Sequence, residues 1–278
     1  MKIFGLLSIL LSSQFLACAT TNSGKLSSDD RVELKKAVES DSRTNRHMAR
    51  DIYRNPQKTL EFFGIKPGMT VVEIWPGSGY YAEILAPYLK VEGRYIAAGF
   101  NSESEVSYYR NGSQKFKDLV ASRSDDFGSR VTINDFEPPV KNQIAEPNSV
   151  DAVLTFRNVH NWMGRDGLDA AFEAFYTALK PGGVLGVVEH RASSEKAQDP
   201  KAKSGYVRED FVIEVAKKAG FKLEASSEVN ANPKDVRDYP KGVWTLPPSL
   251  ALRDEDRQKY VAIGESDRMT LKFVKPKS

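Results

Sequence analysis

One passage constrains the fold of this chain more than any other. Thr70-Val71-Val72-Glu73-Ile74 is a short β-branched, apolar run that reads as a buried strand. It passes through Trp75-Pro76 into Gly77-Ser78-Gly79, and Tyr80 to Leu89 then carries helical spacing. A strand that turns on glycines into a helix lets a ligand approach the backbone and meet the unpaired N–H groups of the helix N-terminus. Glu73 adds an acid at the strand end, so the passage predicts an α/β unit with a ligand at the carboxyl edge of its sheet.

The rest of the chain extends that unit. Strands are expected at Arg94 to Ala98, Arg130 to Ile133, Ser149 to Phe156, Val184 to Glu189, Phe221 to Ser227 and Met269 to Val274. Helices are expected at Ser113 to Ser122, Leu168 to Leu179 and Arg208 to Ala219, and Lys180-Pro181-Gly182-Gly183 stops the second of these. Strands alternating with helices predict a doubly wound, mostly parallel sheet of seven strands with helices on both faces. Residues 31–63 read as N-terminal helices, and residues 230–267 as an irregular insertion before the last strand, on the substrate side. Together they make one domain over residues 31–276.

Residues 1–18 read as a signal peptide: Met1-Lys2 precedes an apolar run from Ile3 to Leu11 that is too short to span a bilayer. Ala17-x-Ala19 suits an ordinary signal peptidase, whereas Leu16-Ala17-Cys18 resembles a bacterial lipobox that would lipidate Cys18, the single cysteine. The second reading is favoured, with residues 19–30 as a small, polar tether. Either reading predicts an exported protein of the cell envelope, periplasmic or lipid-anchored. Lys and Arg total 40 against 37 Asp and Glu, a formal charge of +3 without a basic run longer than a pair, so nucleic acid is not the expected partner.

Strand, acid, glycine turn and helix together resemble motif I of the class I S-adenosylmethionine-dependent methyltransferases, and Leu179-Lys180-Pro181-Gly182-Gly183 resembles that family's turn before its fifth strand. A broader likeness, carried by Phe156-Arg157-Asn158-Val159-His160-Asn161-Trp162, Gly242 to Pro248 and Glu265 to Phe273, is to a bacterial group of exported proteins predicted to be methyltransferases. The resemblance implies S-adenosylmethionine as cofactor, its amino-acid part held by Glu73, Pro76, Gly77 and Gly79. It implies an adenine contact at Asp135-Phe136 and a cofactor contact from Asn158. The chain departs from the pattern twice. Trp75 replaces the usual first glycine, and Asn101 stands near the end of the second strand where an acid usually holds the ribose, with Glu103 and Glu105 as substitutes.

His160 follows the fourth strand and His190 the fifth, on the rim that faces the ligand in an open α/β sheet. His160 is the first candidate for the base or for orienting the acceptor, and His190 the second. No metal-ligand spacing is evident. From the insertion, Trp244, Tyr239 and Asn230-Ala231-Asn232 are candidates for the substrate pocket. Arg43, Arg46, His47, Arg50 and Asp51 could close the same cleft from the N-terminal helices, although a solvated helix face is the favoured reading, and Glu265 to Arg268 read as an internal ion-pair cluster. The expected activity is methyl transfer to a small molecule. A non-catalytic envelope protein that keeps the fold to bind another ligand is the alternative, and a nucleotide-dependent oxidoreductase is a third reading.

Overall fold

The computed structural model describes residues 26–128 and 131–277. The signal peptide, Cys18 and most of the tether lie outside the described residues. Four helices open the domain: α1 (Ser28–Val38), α2 (Asn45–Met48), α3 (Asp51–Arg54) and α4 (Pro56–Phe63). Ser27 starts α1 through a capping box with Asp30, so helix begins inside the segment read as tether. Next come β1 (Thr70–Ile74), α5 (Ala82–Leu89), β2 (Arg94–Phe100), α6 (Ser107–Ser122), α7 (Ser124–Phe127), β3 (Val131–Phe136) and β4 (Val150–Phe156). The chain continues with α8 (Val159–Gly164), α9 (Leu168–Ala178), β5 (Leu179–His190), α10 (Glu209–Lys218), β6 (Lys222–Ser227), α11 (Arg257–Ile263) and β7 (Arg268–Val274).

These strands form one seven-stranded sheet in the order β3-β2-β1-β4-β5-β7-β6. All neighbours are parallel except β7, which lies antiparallel between β5 and β6. The chain winds from β1 to one edge and then returns to place β4 on the other side of β1. That reversal opens a crevice beyond the strand ends.

Alternation along β1 divides the core. Val72 and Ile74 join the layer under α8, α9 and α10, while Val71 joins the layer under α1, α4 and α5. Glu73 shares Val71's face, which turns an acid toward the second layer. Both layers are close-packed aliphatic and aromatic side chains, with Phe172, Phe175 and Trp162 in one and Leu34, Leu60 and Phe63 in the other.

The structure adjusts three expectations. Lys180-Pro181-Gly182 is a turn, but it bulges out of β5: pairing with β4 jumps from Val150–Leu179 to Ala152–Val184, with Gly182 at φ 82°. The Arg157 to Trp162 rim contains a helix, α8, whose short amphipathic span hid in an apparently irregular segment. The insertion holds a 3₁₀ turn at Gly242–Thr245 and α11. Among the described residues, no helix is long and apolar enough to cross a membrane.

Candidate active site

A cavity of about 290 Å³ lies at the switch point. Glu73, Trp75, Pro76, Gly77 and Ser78 form its floor from the glycine turn, and Phe156, Arg157, Asn158, His160, Asn161 and His190 line it from the ends of β4 and β5. Phe100, Tyr108 and Tyr109 close one side. Arg50, Arg54, Tyr80 and Tyr81 close another, and the insertion contributes Val243, Trp244, Pro247, Pro248, Ser249, Glu265 and Ser266.

The two glycines of the turn do different things. Gly77 has φ 59°, and a Cβ placed there meets nothing nearer than the Trp75 carbonyl at 3.9 Å, so the backbone is open to a ligand. Gly79 has φ 90°, and a Cβ there would lie 2.5 Å from Leu119 Cδ2 on α6. Gly79 therefore serves helix packing and does not line the cavity. Ser78 is tied down from the N-terminal helices, since His47 Nε2 lies 3.1 Å from Ser78 Oγ and His47 Nδ1 lies 2.9 Å from Glu83 Oε2. Burial alone would raise the pKa of Glu83, but hydrogen bonds from His47 and Thr44 hold it down at about 2. Arg43, His47 and Arg54 are almost completely buried. The expectation of a solvated helix face is thus wrong for Arg43, which is paired with Val38 and Asp51, and for His47, which is paired with Glu83 and Ser78; Arg54 was not among the candidates.

Glu73 accepts a 2.6 Å hydrogen bond from Tyr95 Oη. Burial pushes its pKa up to about 8, so its carboxyl is mostly protonated at neutral pH. Trp75 adopts φ 47°, and its indole is packed among Phe100, Tyr109, Phe136 and Trp162 with ring centroids 4.8–6.4 Å apart. Its Nε1 donates to the Phe136 carbonyl at 2.8 Å. The side chain that replaces the first glycine therefore fills the space between the ends of β1 and β3.

Of the other sequence candidates, Asn158 lines the cavity while its Nδ2 donates to the Ile74 carbonyl at 3.0 Å, which fixes the end of β1 to β4. Asn101, Asp135 and Phe136 do not line it. Asn101 donates to Glu137 and accepts from the Glu103 amide, Asp135 accepts from Ser102 and Lys141, and Phe136 is wholly buried beneath Trp75. The sequence places them at the right strand ends, but their neighbours already satisfy them. In the insertion, Trp244 reaches the cavity, with its ring 6.0 Å from that of His160. Asn230 instead pins the insertion to Thr59 and Thr270, Asn232 ties its start to the Ile263 and Glu265 carbonyls near its end, and Tyr239 packs on Tyr260.

His160 and His190 face each other at 5.4 Å between ring centroids. Glu189, the last buried acid of β5 and absent from the sequence candidates, organises both. Its Oε1 lies 3.1 Å from His160 Nδ1 and accepts from the His190 amide at 2.7 Å, while Oε2 accepts from the His160 amide. His190 Nδ1 is held 2.5 Å from Ser266 Oγ. Burial, His160 and the Arg157 guanidinium keep His190 well below the usual histidine range, hence neutral. Both imidazoles keep Nε2 without a protein partner among the described residues. His160, Glu189 and His190 also offer one ligand atom each within 4.8 Å of one another, a metal-compatible grouping. Because Glu189 is already engaged by His160 and two backbone amides, the present geometry is that of a carboxylate orienting a histidine.

The strand order and crevice define the class: this is the Rossmann-like fold of the S-adenosylmethionine-dependent methyltransferases. An Aquifex aeolicus S-adenosylmethionine-dependent methyltransferase superposes with a TM-score of 0.52 at 21% identity, covering 72% of this chain and 93% of that one. The [4+2]-cyclase SpnF gives a TM-score of 0.55 at 17% identity over 90% of this chain and 94% of its own. A Galdieria sulphuraria protein assigned as a sarcosine dimethylglycine methyltransferase gives 0.53 at 12% identity over 84% and 87%. No protein-family model matches the chain, and no curated protein matches it in sequence.

Proposed function

We propose that this protein transfers a methyl group from S-adenosylmethionine to a small-molecule acceptor in the cavity. The observation that carries the reading is the meeting of the open Gly77 turn and the Glu189-oriented His160 on one cavity. The amino-acid end of the cofactor fits the turn, because nothing protrudes from Gly77 and Glu73 lines the floor beside it. At the adenosine end the usual polar contacts are spent internally, so recognition falls to the aromatic faces of Trp75, Phe100, Tyr108 and Tyr109. The bound cofactor supplies an electrophilic methyl group on a sulfonium.

The chain's own residues then position, desolvate and deprotonate. Glu189 holds His160 Nδ1, which leaves Nε2 to take a proton from the acceptor as it becomes a nucleophile. Trp244 and Val243 cover the mouth from the insertion and exclude water. Export and a lipid anchor at Cys18 complete the reading on the sequence pattern of residues 1–18, and mass analysis of the mature N-terminus tests both.

Isothermal titration with S-adenosylmethionine and S-adenosylhomocysteine is the direct test, and absence of binding by either would sink the proposal. With an acceptor in hand, His160→Ala should lower turnover by roughly 10²–10⁴-fold while leaving S-adenosylhomocysteine affinity near wild type. A large loss of that affinity instead would move His160 into the cofactor pocket.

A further inference from the structure

The wall of the cavity formed by α3, the end of β4 and the start of β7 carries far more positive charge than its structure uses. Four guanidinium groups, Arg50, Arg54, Arg157 and Arg268, surround one carboxylate, Glu265. Arg50 Nε, Arg54 Nε and Arg268 Nη1 pair with Glu265 at 2.6, 3.1 and 3.2 Å. Arg157 bonds through its backbone to Val188 and Asn161, but its guanidinium has neither a hydrogen bond nor an ion pair among the described residues, although it lines the cavity. Arg54 is 3% exposed, and Arg54 and Arg50 each leave one terminal nitrogen buried without a partner.

Such an arrangement is costly for folding alone. Guanidinium donors buried without a partner are destabilising, and like charges crowded into one wall repel. Burial and the neighbouring Arg54 depress Arg157 well below the usual arginine value, against the pull of Glu265. The other acid on the cavity floor, Glu73, is mostly protonated at neutral pH and offers little compensation. Arg157 also has φ 64°, a left-handed backbone uncommon outside glycine and asparagine, at the turn that leaves β4, and it lines the same cavity as His160.

We propose that Arg157 and Arg54, supported by Arg50, form an anion subsite that takes a carboxylate or phosphate group of the ligand bound in this cavity. A guanidinium pair suits a planar carboxylate or a phosphate through paired N–H donors. The subsite lies within the same cavity as His160, so an acid group seated there would help orient the ligand's reactive atom. It stands on the charge balance of the wall and needs no cofactor. If the methyl-transfer reading also holds, the anion belongs either to the acceptor or to the amino-acid carboxylate of the cofactor.

Melting of the full chain in sodium phosphate, against sodium chloride of equal ionic strength, tests the proposal. Wild type should gain stability saturably with phosphate. Arg157→Met should melt at or above wild type in chloride, because it deletes an unpaired cation, and should weaken the phosphate response at least tenfold. Arg50→Gln should weaken it less. Equal melting in both salts for wild type, or an undiminished phosphate response in Arg157→Met, would overturn the subsite. Phosphate binding unchanged by saturating S-adenosylhomocysteine assigns the anion to the acceptor, whereas mutual displacement, with weaker S-adenosylhomocysteine binding in Arg157→Met, assigns it to the cofactor carboxylate. A phosphate response without any S-adenosylhomocysteine binding would leave the subsite standing and remove methyl transfer.

Discussion

Replacing Glu73 by Gln should make the protein more stable at alkaline pH and leave it nearly unchanged in mild acid. The folded protein holds Glu73 with a pKa near 8 against an ordinary 4.5, chiefly through burial, with the Tyr95 hydrogen bond pulling the other way. Below pH 4.5 both folded and unfolded chains carry the proton, so the residue costs nothing. Between 4.5 and about 8 the unfolded chain ionises while the folded one does not, and stability falls with every unit of pH. At about 1.4 kcal/mol per unit the full loss is about 5 kcal/mol, and relaxation around the buried group brings the expected figure to about 3–5 kcal/mol. Glutamine is nearly isosteric, accepts from Tyr95 through its carbonyl oxygen and does not titrate. Urea unfolding of both proteins from pH 5 to pH 9 should give curves that coincide at the acid end and separate steadily above it. At about 2–4 °C per kcal/mol, thermal melts should differ by roughly 10 °C at pH 8.5. Parallel curves would refute the reasoning, because Glu73 would then be ionised in the folded protein. The same shift predicts that a ligand placing a cationic group beside Glu73 binds more tightly as pH rises and releases a proton, which calorimetry in buffers of different ionisation enthalpy detects.

Glu265→Gln should cost about 3–5 kcal/mol at pH 7 in urea unfolding, since it strips three guanidiniums of their shared carboxylate. Burial would raise the pKa of Glu265, but Arg54, Arg268 and Arg50 hold it at about 2, so its contribution is full above pH 4.5 and fades toward pH 2. The deficit of the variant should shrink in the same range, and a deficit constant with pH would contradict the pairing. Gly79→Ala should lower stability by about 1–3 kcal/mol through its φ of 90° and the 2.5 Å approach to Leu119, and an unchanged melting temperature would show that α6 moves freely. Gly77→Val should abolish S-adenosylhomocysteine binding by calorimetry, and retained affinity would place the ligand elsewhere.

The mostly parallel seven-stranded sheet and the cavity location were legible because period-2 runs, glycine turns and alternation with helices are local signals, whereas the strand order was not read from the sequence. Glu73, Gly77, Asn158, His160 and His190 followed from their positions at strand ends. The sequence did not disclose which polar groups were already satisfied. Asn101 and Asp135 look available until Glu137, Ser102 and Lys141 are brought beside them. Glu189 was passed over because it ends an apolar strand, although an acid at the end of a buried run is itself a cue of the kind that singled out Glu73. Arg54 was missed, and Arg50 assigned chiefly to a solvated face, for the opposite reason: short helices with alternating charge look solvent-facing, and the partner Glu265 lies far away in sequence. Arg157 was named only as part of a motif, because the lack of a partner is a property of the folded wall.

Trp75 fills the space between the ends of β1 and β3. The chain has three tryptophans: Trp75 on the cavity floor, Trp162 with its ring 5.5 Å from Trp75, and Trp244 at the mouth beside His160. Every indole in the protein therefore belongs to the site or touches a residue that does. Intrinsic emission excited at the tryptophan band is in effect a built-in optical probe of this one cavity, without background from elsewhere in the domain. Candidate ligands can be screened by label-free fluorescence quenching, and Trp75→Phe and Trp244→Phe would separate the signal of the floor from that of the mouth.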